Sequence, residues 1–501
     1  MYLKYFNTPY LNLVDELDNS NNDIIITKHT KYIEKPIEKP CYILISSVTN
    51  KEKLIQELLQ KLELIQGIIS TKEIIEDLAN SFCAHSLEVQ IKFVECENPT
   101  LAWAHLCKLN FPQAPEHIIG ITGTSGKTST TSFVHQLLRS KSHLANHPVN
   151  HSISQNVLLI NTLGVFYNDE KIANTNNTTP DAFILHYHLN EFTKKFGPNS
   201  FAILEVSSIG VEQNRVKFIN FESGVWNNFS SEHLDYHENM SNYFKAKNKF
   251  ITRCKNSFIH HSVVNPETNC IHENASYGME LVNVQQNQNL EISLKIDKQI
   301  EDSGTHSQIF ELDFEIFGLF QAENILSAIT SLRPFFSIEE IIAICKKTKL
   351  HSPAGRMEKI GNCIIDNSHK PEALKSALLS IAQTKPDRII VVCGCGGNRD
   401  KTKRPLMGKI MQNFADIAIV TSDNPRFENA TDIIANITSA MTNFIIIENR
   451  EDAIKYAISI MNDNDICLIA GKGSETTQEI NGQSFPFNDK EIVLKYLKHT
   501  K

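Results

Sequence analysis

HIIGITGTSGKTSTTSFVHQLL, residues 117–138, is the stretch of sequence that decides the fold. Its apolar start predicts a buried strand, the glycine turn that follows carries a lysine, and the remainder is typical of a helix. Backbone N–H groups at such a turn can surround an anion, while Lys127 adds a point charge and Thr128 a hydroxyl for Mg²⁺. The segment therefore predicts a phosphate site for ATP or GTP, formed by Gly123, Thr124, Ser125, Gly126, Lys127, Thr128 and Ser129.

The spacing of this turn departs from the strict Walker A pattern. That pattern has a glycine where this chain has Ile121, and Gly120 stands one residue too early. An ordinary glycine turn is the competing interpretation. The strand–turn–helix context favours the phosphate site.

Length and composition limit the class of protein. A chain of 501 residues exceeds what one core fills, so two or three domains are expected. The sequence has 41% hydrophobic residues but no apolar run near the ~18 that a bilayer span needs, so we expect no membrane segment. Its first residues, MYLKYFNTPYLNL, lack the pattern of a secretory signal.

Charge and cysteine content point to a cytoplasmic protein that does not bind nucleic acid. The formal net charge of −8 argues against a nucleic-acid partner, because phosphate backbones are bound by basic surfaces. The eleven cysteines are an odd number without paired metal-ligand spacing, which predicts free thiols in the cytosol. Cys393 and Cys395 lie close together, and there we expect packing around a glycine turn rather than a metal site.

Alternating strand and helix patterns predict an α/β fold. Before residue 115 the sequence shows a strand-like run at 41–46 and a helical run at 51–64, with no chemical motif. Buried strands are predicted at 201–206 and 224–227, followed by a loop and helix over 233–250. A second α/β series begins after residue 350, with strands at 363–365, 388–392, 417–420, 444–447 and 466–469.

Polar clusters follow four strands of this second series: DNSH (366–369), GGNRD (396–400), SDNPR (422–426) and GKGSE (471–475). Ligands of open parallel sheets gather beyond the carboxyl ends of the strands. We therefore expect these clusters to face one crevice.

Several short strings together resemble the Mur ligase family. LEVSS (204–208), NNFSSEHLDYH (227–237) and YFKAKNKF (243–250) carry the resemblance in the middle of the chain. SPAGRMEKI (352–360), the GGNRD segment with KRPLMG (403–408), SDNPR and GKGSE resemble the branch that adds meso-diaminopimelate. The ordered match runs from about Glu97 to Gln478 and is more specific than any single motif.

The resemblance implies three domains: an N-terminal domain for the UDP-linked substrate (1–115), a central P-loop ATPase domain with a mostly parallel sheet (116–349), and a C-terminal Rossmann-like domain for the amino acid (350–501). It also implies ATP-dependent amide formation in peptidoglycan precursor synthesis.

In the implied reaction, the γ-phosphoryl group would move to a substrate carboxylate, and an amine would displace phosphate from the acyl phosphate. Positioning and cations do most of the work in such a transfer. The implied partners are ATP, a UDP-muramoyl dipeptide and meso-diaminopimelate, with Mg²⁺ as cofactor and the chain acting as a monomer.

The resemblance assigns the catalytic and metal-binding groups. Lys127, His233 and Lys247 would be catalytic, and Lys247 would carry a CO₂ adduct, a carbamate that organises magnesium. Thr128, Glu205, His233 and the Lys247 carbamate would be metal ligands. The alternatives are a helix-capping His233 and, since Lys245 and Lys249 flank Lys247, a plain basic helix face.

The remaining assignments concern substrates. The UDP-muramoyl dipeptide would contact Thr178, Thr179, Ser207, Gln213 and Arg215, whose hydroxyl, amide and guanidinium groups suit diphosphate and carboxylate oxygens. The nucleotide would also contact Asn324, Arg356, Asp366 and His369. Diaminopimelate would contact Arg399, Asp423, Asn424, Pro425, Arg426, Gly471 and Glu475. Because diaminopimelate has one carboxylate more than lysine, the Arg426 guanidinium is the expected selector.

This chain departs from the family pattern at several positions. Ile209 stands where a histidine usually follows the serine pair, Asn367 replaces an aromatic residue, and GKGSE has Ser474 for histidine. The D-S-R signature that contributes to the uridine site is absent, and residues 27–30 read TKHT. Two alternatives therefore stay open: a related ligase, such as a lysine-adding homologue or a folylpolyglutamate synthase, and a degenerate ATP-binding protein without activity.

Overall fold

The computed structural model describes residues 5–6, 25–27, 41–45, 54, 56, 58, 67–84, 92–140, 155–268, 270–271, 279–287, 289–300 and 304–498. The chain divides into two compact units. The first unit comprises residues 1–114, 180–195 and 208–219, and the second comprises residues 115–179, 196–207 and 220–501.

The first unit contains a parallel five-stranded sheet of order β1-β5-β4-β3-β2. Its strands are β1 (Tyr5–Phe6), β2 (Ile25–Thr27), β3 (Cys41–Leu44), β4 (Gly67–Ser70) and β5 (Lys92–Glu95), and its helices are α1 (Lys72–Ala84) and α2 (Pro99–Asn110). The strand predicted at 41–46 is confirmed as β3, whereas most of the helix predicted over 51–64 lies outside the described residues. The TKHT segment likewise continues beyond the described residues after Thr27.

A seven-stranded sheet of order β12-β11-β6-β10-β7-β8-β9 positions the phosphate loop in the second unit. Its strands are β6 (His117–Thr122), β7 (Val157–Asn161), β8 (Gly164–Tyr167), β9 (Glu170–Ala173), β10 (Phe201–Glu205), β11 (Ser223–Trp226) and β12 (Asn256–Ile259). The strands from β12 to β7 are parallel, and the β7-β8-β9 hairpins are antiparallel. The predicted strands at 201–206 and 224–227 correspond to β10 and β11, shifted by no more than one residue at either end.

Helices cover this sheet and carry site residues. They are α3 (Lys127–Ser140), α6 (Leu234–His237), α7 (Met240–Ile251), α8 (Gln321–Ser331) and α9 (Ile338–Lys347); α4 (Ala182–Phe196) and α5 (Ser208–Glu212), which come between α3 and α6 in the chain, are helices of the first unit. Helix α3 directly follows the phosphate loop and buries Phe133, Val134 and Leu137 in a core shared with Ile119 and Ile329. Burial of this apolar face fixes the helix N-terminus beside the loop.

An antiparallel sheet precedes α8, and our sequence analysis did not predict it. It consists of β15 (Met279–Gln286), β16 (Leu290–Ile300) and β17 (Gly304–Phe314), after the short pair β13 (Val264–Asn265) and β14 (Cys270–Ile271). Leu290, Ile292 and Leu294 alternate along β16 and enter the same core as α3. This sheet therefore extends the central core rather than forming a separate one.

The last part of the second unit is built on a six-stranded sheet of order β18-β19-β23-β20-β21-β22. Its strands are β18 (Glu358–Ile360), β19 (Cys363–Asp366), β20 (Ile389–Cys393), β21 (Ile417–Val420), β22 (Ile445–Ile446) and β23 (Ile466–Ala470). The five predicted strands are confirmed as β19 to β23 and are mutually parallel, while antiparallel β18 was not predicted.

Helices pack on both faces of this sheet, and a layer of buried aliphatic residues lies between the sheet and the helices on each face. They are α10 (Pro371–Gln383), α11 (Lys403–Phe414), α12 (Ala430–Thr438), α13 (Arg450–Ser459) and α14 (Asp489–Leu497), with a β24 (Thr477–Ile480) and β25 (Gln483–Pro486) hairpin before α14. The predicted α/β class, with a mostly parallel central sheet and a parallel C-terminal sheet, is confirmed. Among the described residues, no helix is both long and apolar enough to cross a bilayer.

Candidate active site

The phosphate loop joins the end of β6 to the start of α3. Gly126 has a φ of +79°, a left-handed conformation that favours glycine, and a β-carbon built there would lie 2.0 Å from Oδ1 of Asn324. Asn324 is buried on α8, where its amide nitrogen donates to Gln321 at 2.8 Å. The structure therefore places Asn324 against the phosphate loop.

Part of this loop is already hydrogen-bonded within the protein. The backbone N–H groups of Thr124 and Ser125 donate to Oδ1 of Asn228, at 3.1 and 2.9 Å. The Lys127 ammonium donates to the carbonyl oxygens of Gly123 (3.0 Å) and Thr124 (2.9 Å). Burial lowers the pKa of Lys127, and the Glu205 and Glu232 carboxylates oppose that shift. The sequence analysis missed Asn228, although it lies within the quoted NNFSSEHLDYH string.

Glu205 brings a buried carboxylate to the first residues of α3. It ends β10, the strand beside β6, and is only 3% exposed. The Thr128 hydroxyl lies 3.1 Å from both Glu205 oxygens, and Thr162 donates to Oε2 through its backbone N–H (2.9 Å) and its hydroxyl (3.0 Å). A hydroxyl and a carboxylate are the hard oxygen donors that Mg²⁺ prefers, so the pair fits that ion chemically.

His233 lies in a second acidic environment. It precedes α6 with a left-handed φ of +55°, and its Nε2 lies 3.7 Å from Oε1 of Glu232. Burial lowers the pKa of His233, which favours the neutral ring that a metal ligand requires. Within the described part of the chain, no group of three or more His, Cys, Asp or Glu side chains forms a ready metal cage. A bound ion would therefore need oxygen ligands from substrate phosphates or water as well.

Lys247 is a fully enclosed amine on α7. It is 1% exposed, its Nζ donates to the Gly123 carbonyl at 2.7 Å, and the same nitrogen lies 4.7 Å from the ring centre of Tyr243. Burial lowers the pKa of Lys247 well below its usual value, and the neighbouring Lys127 lowers it further. Burial thus disfavours the charged ammonium form of Lys247 beside the phosphate loop.

Glu232 and Lys370 form an ion pair that the sequence analysis did not identify. Glu232 belongs to the quoted SSEHLDYH string, and Lys370 follows the DNSH cluster directly, so both lay next to recognised motifs. Lys370 precedes α10, which follows the first strand of the parallel C-terminal sheet. The pair links the loop after β11 to that later segment.

The proposed dipeptide-binding residues fall in both units. Thr179 is 1% exposed; its hydroxyl donates to the Glu205 carbonyl at 2.9 Å and accepts from the Ser207 N–H at 2.8 Å. Thr178 lies next to it, with its hydroxyl 3.4 Å from that of Thr162. Gln213 and Arg215 belong to the first unit, where the Arg215 guanidinium donates to Oε1 of Gln213 at 2.6 and 3.1 Å. Of the proposed dipeptide-binding residues, the structure therefore brings Thr179 and Ser207 into contact with each other and Thr179 into contact with Glu205.

The DNSH cluster surrounds the end of β19. Asp366 is buried, accepts from the Met357 N–H at 2.8 Å and from the Ser368 hydroxyl, and burial raises its pKa. Asn367 connects Arg356 to the GKGSE segment, because its amide accepts from the guanidinium (3.3 Å to Nη2) and donates to the Gly471 carbonyl (2.9 Å). His369 donates through Nδ1 to the Asn367 carbonyl oxygen (2.8 Å), and desolvation lowers its pKa to about 4.

A buried lysine organises the SDNPR and GKGSE segments. Lys472, 1% exposed, donates to Oδ1 of Asn424 at 2.9 Å and to Oε2 of Glu475 at 3.0 Å, and lies 4.0 Å from Asp423. Because Oδ1 of Asn424 also accepts from the Glu479 N–H, its amide nitrogen is left to donate to Glu475 at 2.8 Å. The sequence analysis did not single out Lys472, although it is the second residue of GKGSE.

Arg426 is already engaged on two sides. Its Nε donates to Oε2 of Glu479 at 3.1 Å and its Nη1 to the Gly397 carbonyl at 2.8 Å. Pro425 packs its carbonyl against Gly397, whereas Arg399 is exposed in the GGNRD segment. The four polar clusters thus meet at the carboxyl ends of four adjacent strands, β19, β23, β20 and β21, as the sequence predicts.

Comparison with known proteins places this geometry in a family. The model of the Mur ligase middle domain matches residues 121–332, and that of the Mur ligase glutamate ligase domain matches residues 355–473. A relative from Rickettsia typhi, a UDP-N-acetylmuramoyl-L-alanyl-D-glutamate–2,6-diaminopimelate ligase, is 35% identical over 432 residues, covering 81% of this chain and 82% of the relative. The chain belongs to the Mur ligase family.

Other Mur ligases agree with this placement. A relative of the same name from Fusobacterium nucleatum is 34% identical over 412 residues, covering 78% of this chain and 79% of the relative. A solved structure of a UDP-N-acetylmuramoyl-L-alanyl-D-glutamate–2,6-diaminopimelate ligase superposes with a TM-score of 0.58 at 24% identity, covering 95% of each chain. The phosphate loop, Glu205 and Lys247 lie within the matched middle domain, and Asp366, Arg426 and Gly471 within the matched glutamate ligase domain.

Proposed function

We propose that this Mur ligase joins meso-2,6-diaminopimelate to UDP-N-acetylmuramoyl-L-alanyl-D-glutamate in peptidoglycan precursor synthesis, using ATP. The observation that carries the proposal is the contact of the buried Lys247 amine with the phosphate loop, at 2.7 Å from the Gly123 carbonyl. A buried ionisable amine beside a phosphate loop is typical of a catalytic site for phosphoryl transfer. A protein that only binds nucleotide does not need such a group. The relatives with diaminopimelate in their names support the choice of amino acid.

The first chemical step is phosphorylation of the dipeptide carboxylate. The N–H groups at the start of α3 and the Lys127 ammonium hold the ATP phosphates once Lys127 leaves the Gly123 and Thr124 carbonyls. Thr128, Glu205 and His233 would hold Mg²⁺, which neutralises charge on the phosphoryl oxygens when bound. The dipeptide carboxylate oxygen attacks the γ-phosphorus, ADP leaves, and an acyl phosphate forms.

Lys247 is proposed to act as a carbamate. A neutral amine attacks CO₂ and loses a proton to give a carbamate anion, and the burial that lowers the pKa of Lys247 favours that neutral form. Its new oxygens would lie beside the phosphate loop and help Glu205 and His233 to hold the cation. A carbamate would also place a negative charge near the Lys127 ammonium, which attracts it.

Diaminopimelate supplies the amine of the second step. Asp423 and Glu475 would bind its ammonium groups, while Asn424 and Arg426, the latter through Nη2, would bind its distal carboxylate. The neutral amine attacks the acyl carbon, the bond from that carbon to the phosphate oxygen breaks, and inorganic phosphate leaves. The amide remains on the UDP-linked product. Lysine, which lacks the distal carboxylate, would leave the Arg426 fork unpaired.

The nucleotide and dipeptide would draw on further residues. Asn324, Arg356, Asp366 and His369 are proposed to surround the nucleotide; Thr178, Thr179, Ser207, Gln213 and Arg215 are proposed for the dipeptide. We further propose the three-domain division at 1–115, 116–349 and 350–501, action as a monomer, and a cytoplasmic location. The matched family models, which begin at residue 121 and at residue 355, support the division.

One assay tests the reaction and its amino-acid choice. The purified protein is given ATP, Mg²⁺, the UDP-muramoyl dipeptide and either meso-diaminopimelate or L-lysine, and phosphate release and the mass of the UDP-linked product are measured. We expect a diaminopimelate adduct, with K127A as the inactive control. Phosphate release in the assay with lysine but not in the assay with diaminopimelate would contradict the choice of amino acid. Absence of dipeptide-dependent ADP formation in a single turnover would instead indicate a degenerate ATP-binding protein.

A further inference from the structure

The ion pair of Lys370 with Glu232 holds the Lys370 ammonium, which belongs to the C-terminal part of the second unit, beside the segment that contacts the phosphate loop. The two side chains form a direct ion pair, with the Lys370 side chain 35% exposed and the Glu232 side chain 16% exposed. Glu232 stands next to His233, and backbone atoms of Ser230 contact the Thr124 hydroxyl of the loop at 3.0 and 3.2 Å. Lys370 therefore contacts the segment after β11 that packs against the phosphate loop, although it lies far along the chain from Lys127.

Two ammonium groups influence the Glu232 carboxylate. Burial alone would raise the pKa of Glu232, but Lys127 and Lys370 outweigh it and lower that pKa. The same charges act on Lys127, whose pKa is lowered by burial and also by Lys370 and Arg356. The charge of Glu232 thus acts on both lysines, and the structure shows it in direct contact with Lys370.

The γ-phosphoryl group of ATP is an anion of the same kind but of higher charge. Phosphoryl oxygens that enter beside the loop would compete with the Glu232 carboxylate for the Lys370 ammonium. On the basis of the proposed function, we infer that Lys370 is a phosphate-binding residue that exchanges Glu232 for the γ-phosphoryl group and stabilises its transfer. ADP lacks the γ-phosphoryl group and does not make this contact.

The inference predicts selectivity between two nucleotides. Binding of ADP and of a non-hydrolysable ATP analogue, each with Mg²⁺, is measured by calorimetry on wild type, K370A, K370R and K401A. We expect K370A to weaken analogue binding about tenfold, the loss of one charge-assisted hydrogen bond, with ADP binding changed less than about twofold. K370R should retain most of the affinity. K401A is the matched control, because Lys401 is an exposed lysine paired with Glu428 at 3.4 Å.

The E232Q variant separates a phosphate contact from a structural ion pair. If Lys370 binds phosphate, E232Q should bind the analogue at least as tightly as wild type, and K370A should still weaken binding in the E232Q background. Equal loss of ADP and analogue affinity in K370A, or an E232Q variant that reproduces the K370A defect, would overturn the inference. The assay needs neither dipeptide nor diaminopimelate, so a wild type that binds both nucleotides but makes no product contradicts only the proposed function.

Discussion

The amide oxygen of Asn324 lies against Gly126 so closely that a β-carbon at that glycine would stand 2.0 Å from it. We expect G126A to abolish ATP-dependent phosphate release, because the loop and α8 would have to separate and the residue already has a left-handed φ of +79°. Phosphate release and ADP affinity measure the effect. The variant should remain folded, since the clash falls at the surface of a site rather than within the core.

Gly197 provides the control for backbone strain. It has a φ of +86°, and a β-carbon there would meet nothing within 4 Å. G197A should therefore cost about 1–2 kcal/mol of unfolding free energy from the left-handed backbone alone and leave nucleotide binding unchanged. If G197A loses activity as G126A does, strain rather than the Asn324 contact explains the first result.

Arg426 should control the affinity for diaminopimelate. We expect R426A to raise the KM for diaminopimelate by about 100-fold while the KM for ATP changes less than about threefold, because a charge-assisted contact with the distal carboxylate is lost. Steady-state kinetics with each substrate varied in turn provide the measurement. R139A is the control, since Arg139 pairs with Asp169 on an exposed surface of the second unit. Equal effects on both KM values would show that Arg426 does not bind the distal carboxylate.

Lys247 should make activity depend on carbon dioxide. We expect the rate to fall when the enzyme is kept in degassed, bicarbonate-free buffer and to recover on addition of bicarbonate, because the carbamate forms reversibly from the neutral amine. A ¹³C-labelled carbamate signal in the nuclear magnetic resonance spectrum, absent in K247A, identifies the adduct. The exposed neighbour Lys245, paired with Glu267 at 2.8 Å, gives the control variant K245A. A rate that does not respond to bicarbonate would exclude the carbamate.

His186 should make the stability of the first unit depend on pH. Burial lowers its pKa from 6.5 to about 4, so the folded state keeps the ring neutral while the unfolded state takes up a proton. The stability is fully present above pH 6.5 and is lost as pH falls toward 4, by up to about 1.4 kcal/mol per pH unit. Urea denaturation of wild type and H186L at pH 8 and at pH 5 should show a smaller pH effect in the variant. Equal pH effects would assign the dependence to other groups.

Arg450 and Asp489 should behave as one unit in the C-terminal part of the chain. Both side chains are 0% exposed, and Arg450 donates to the two Asp489 oxygens at 2.8 Å each. We expect D489N to reduce the free energy of unfolding by about 3–5 kcal/mol because it leaves a buried guanidinium uncompensated. The exposed pair of Lys495 and Glu451 gives the comparison, where K495A should cost less than about 1 kcal/mol. A double variant R450M/D489L that is less stable than D489N would contradict the argument.

The parallel sheets were predictable because their strands are short apolar runs bounded by turns. The predicted strand at 417–420 coincides with β21, and β19, β20 and β23 differ from their predicted bounds by one residue at an end. The antiparallel sheet at Met279–Phe314 carries its signal in alternation rather than in runs, as in LEISLKID, and half of each strand is polar. A search for period-two alternation would have found it.

The candidate site was predictable where a motif has a local signature. The phosphate loop and the polar clusters after the strands fall into this class. Lys370, Asn228 and Lys472 were missed because their roles depend on partners more than 40 positions away, as with Lys472 and Asn424. Packing brings such pairs together, and no spacing within one segment shows it.

Some donors of the phosphate loop are already satisfied within the protein. Lys127 rests on two carbonyls of its own turn, and Asn228 accepts from two loop amides. A nucleotide that enters therefore replaces existing partners instead of meeting bare groups, and the enthalpy of association should be smaller than its number of phosphate contacts suggests.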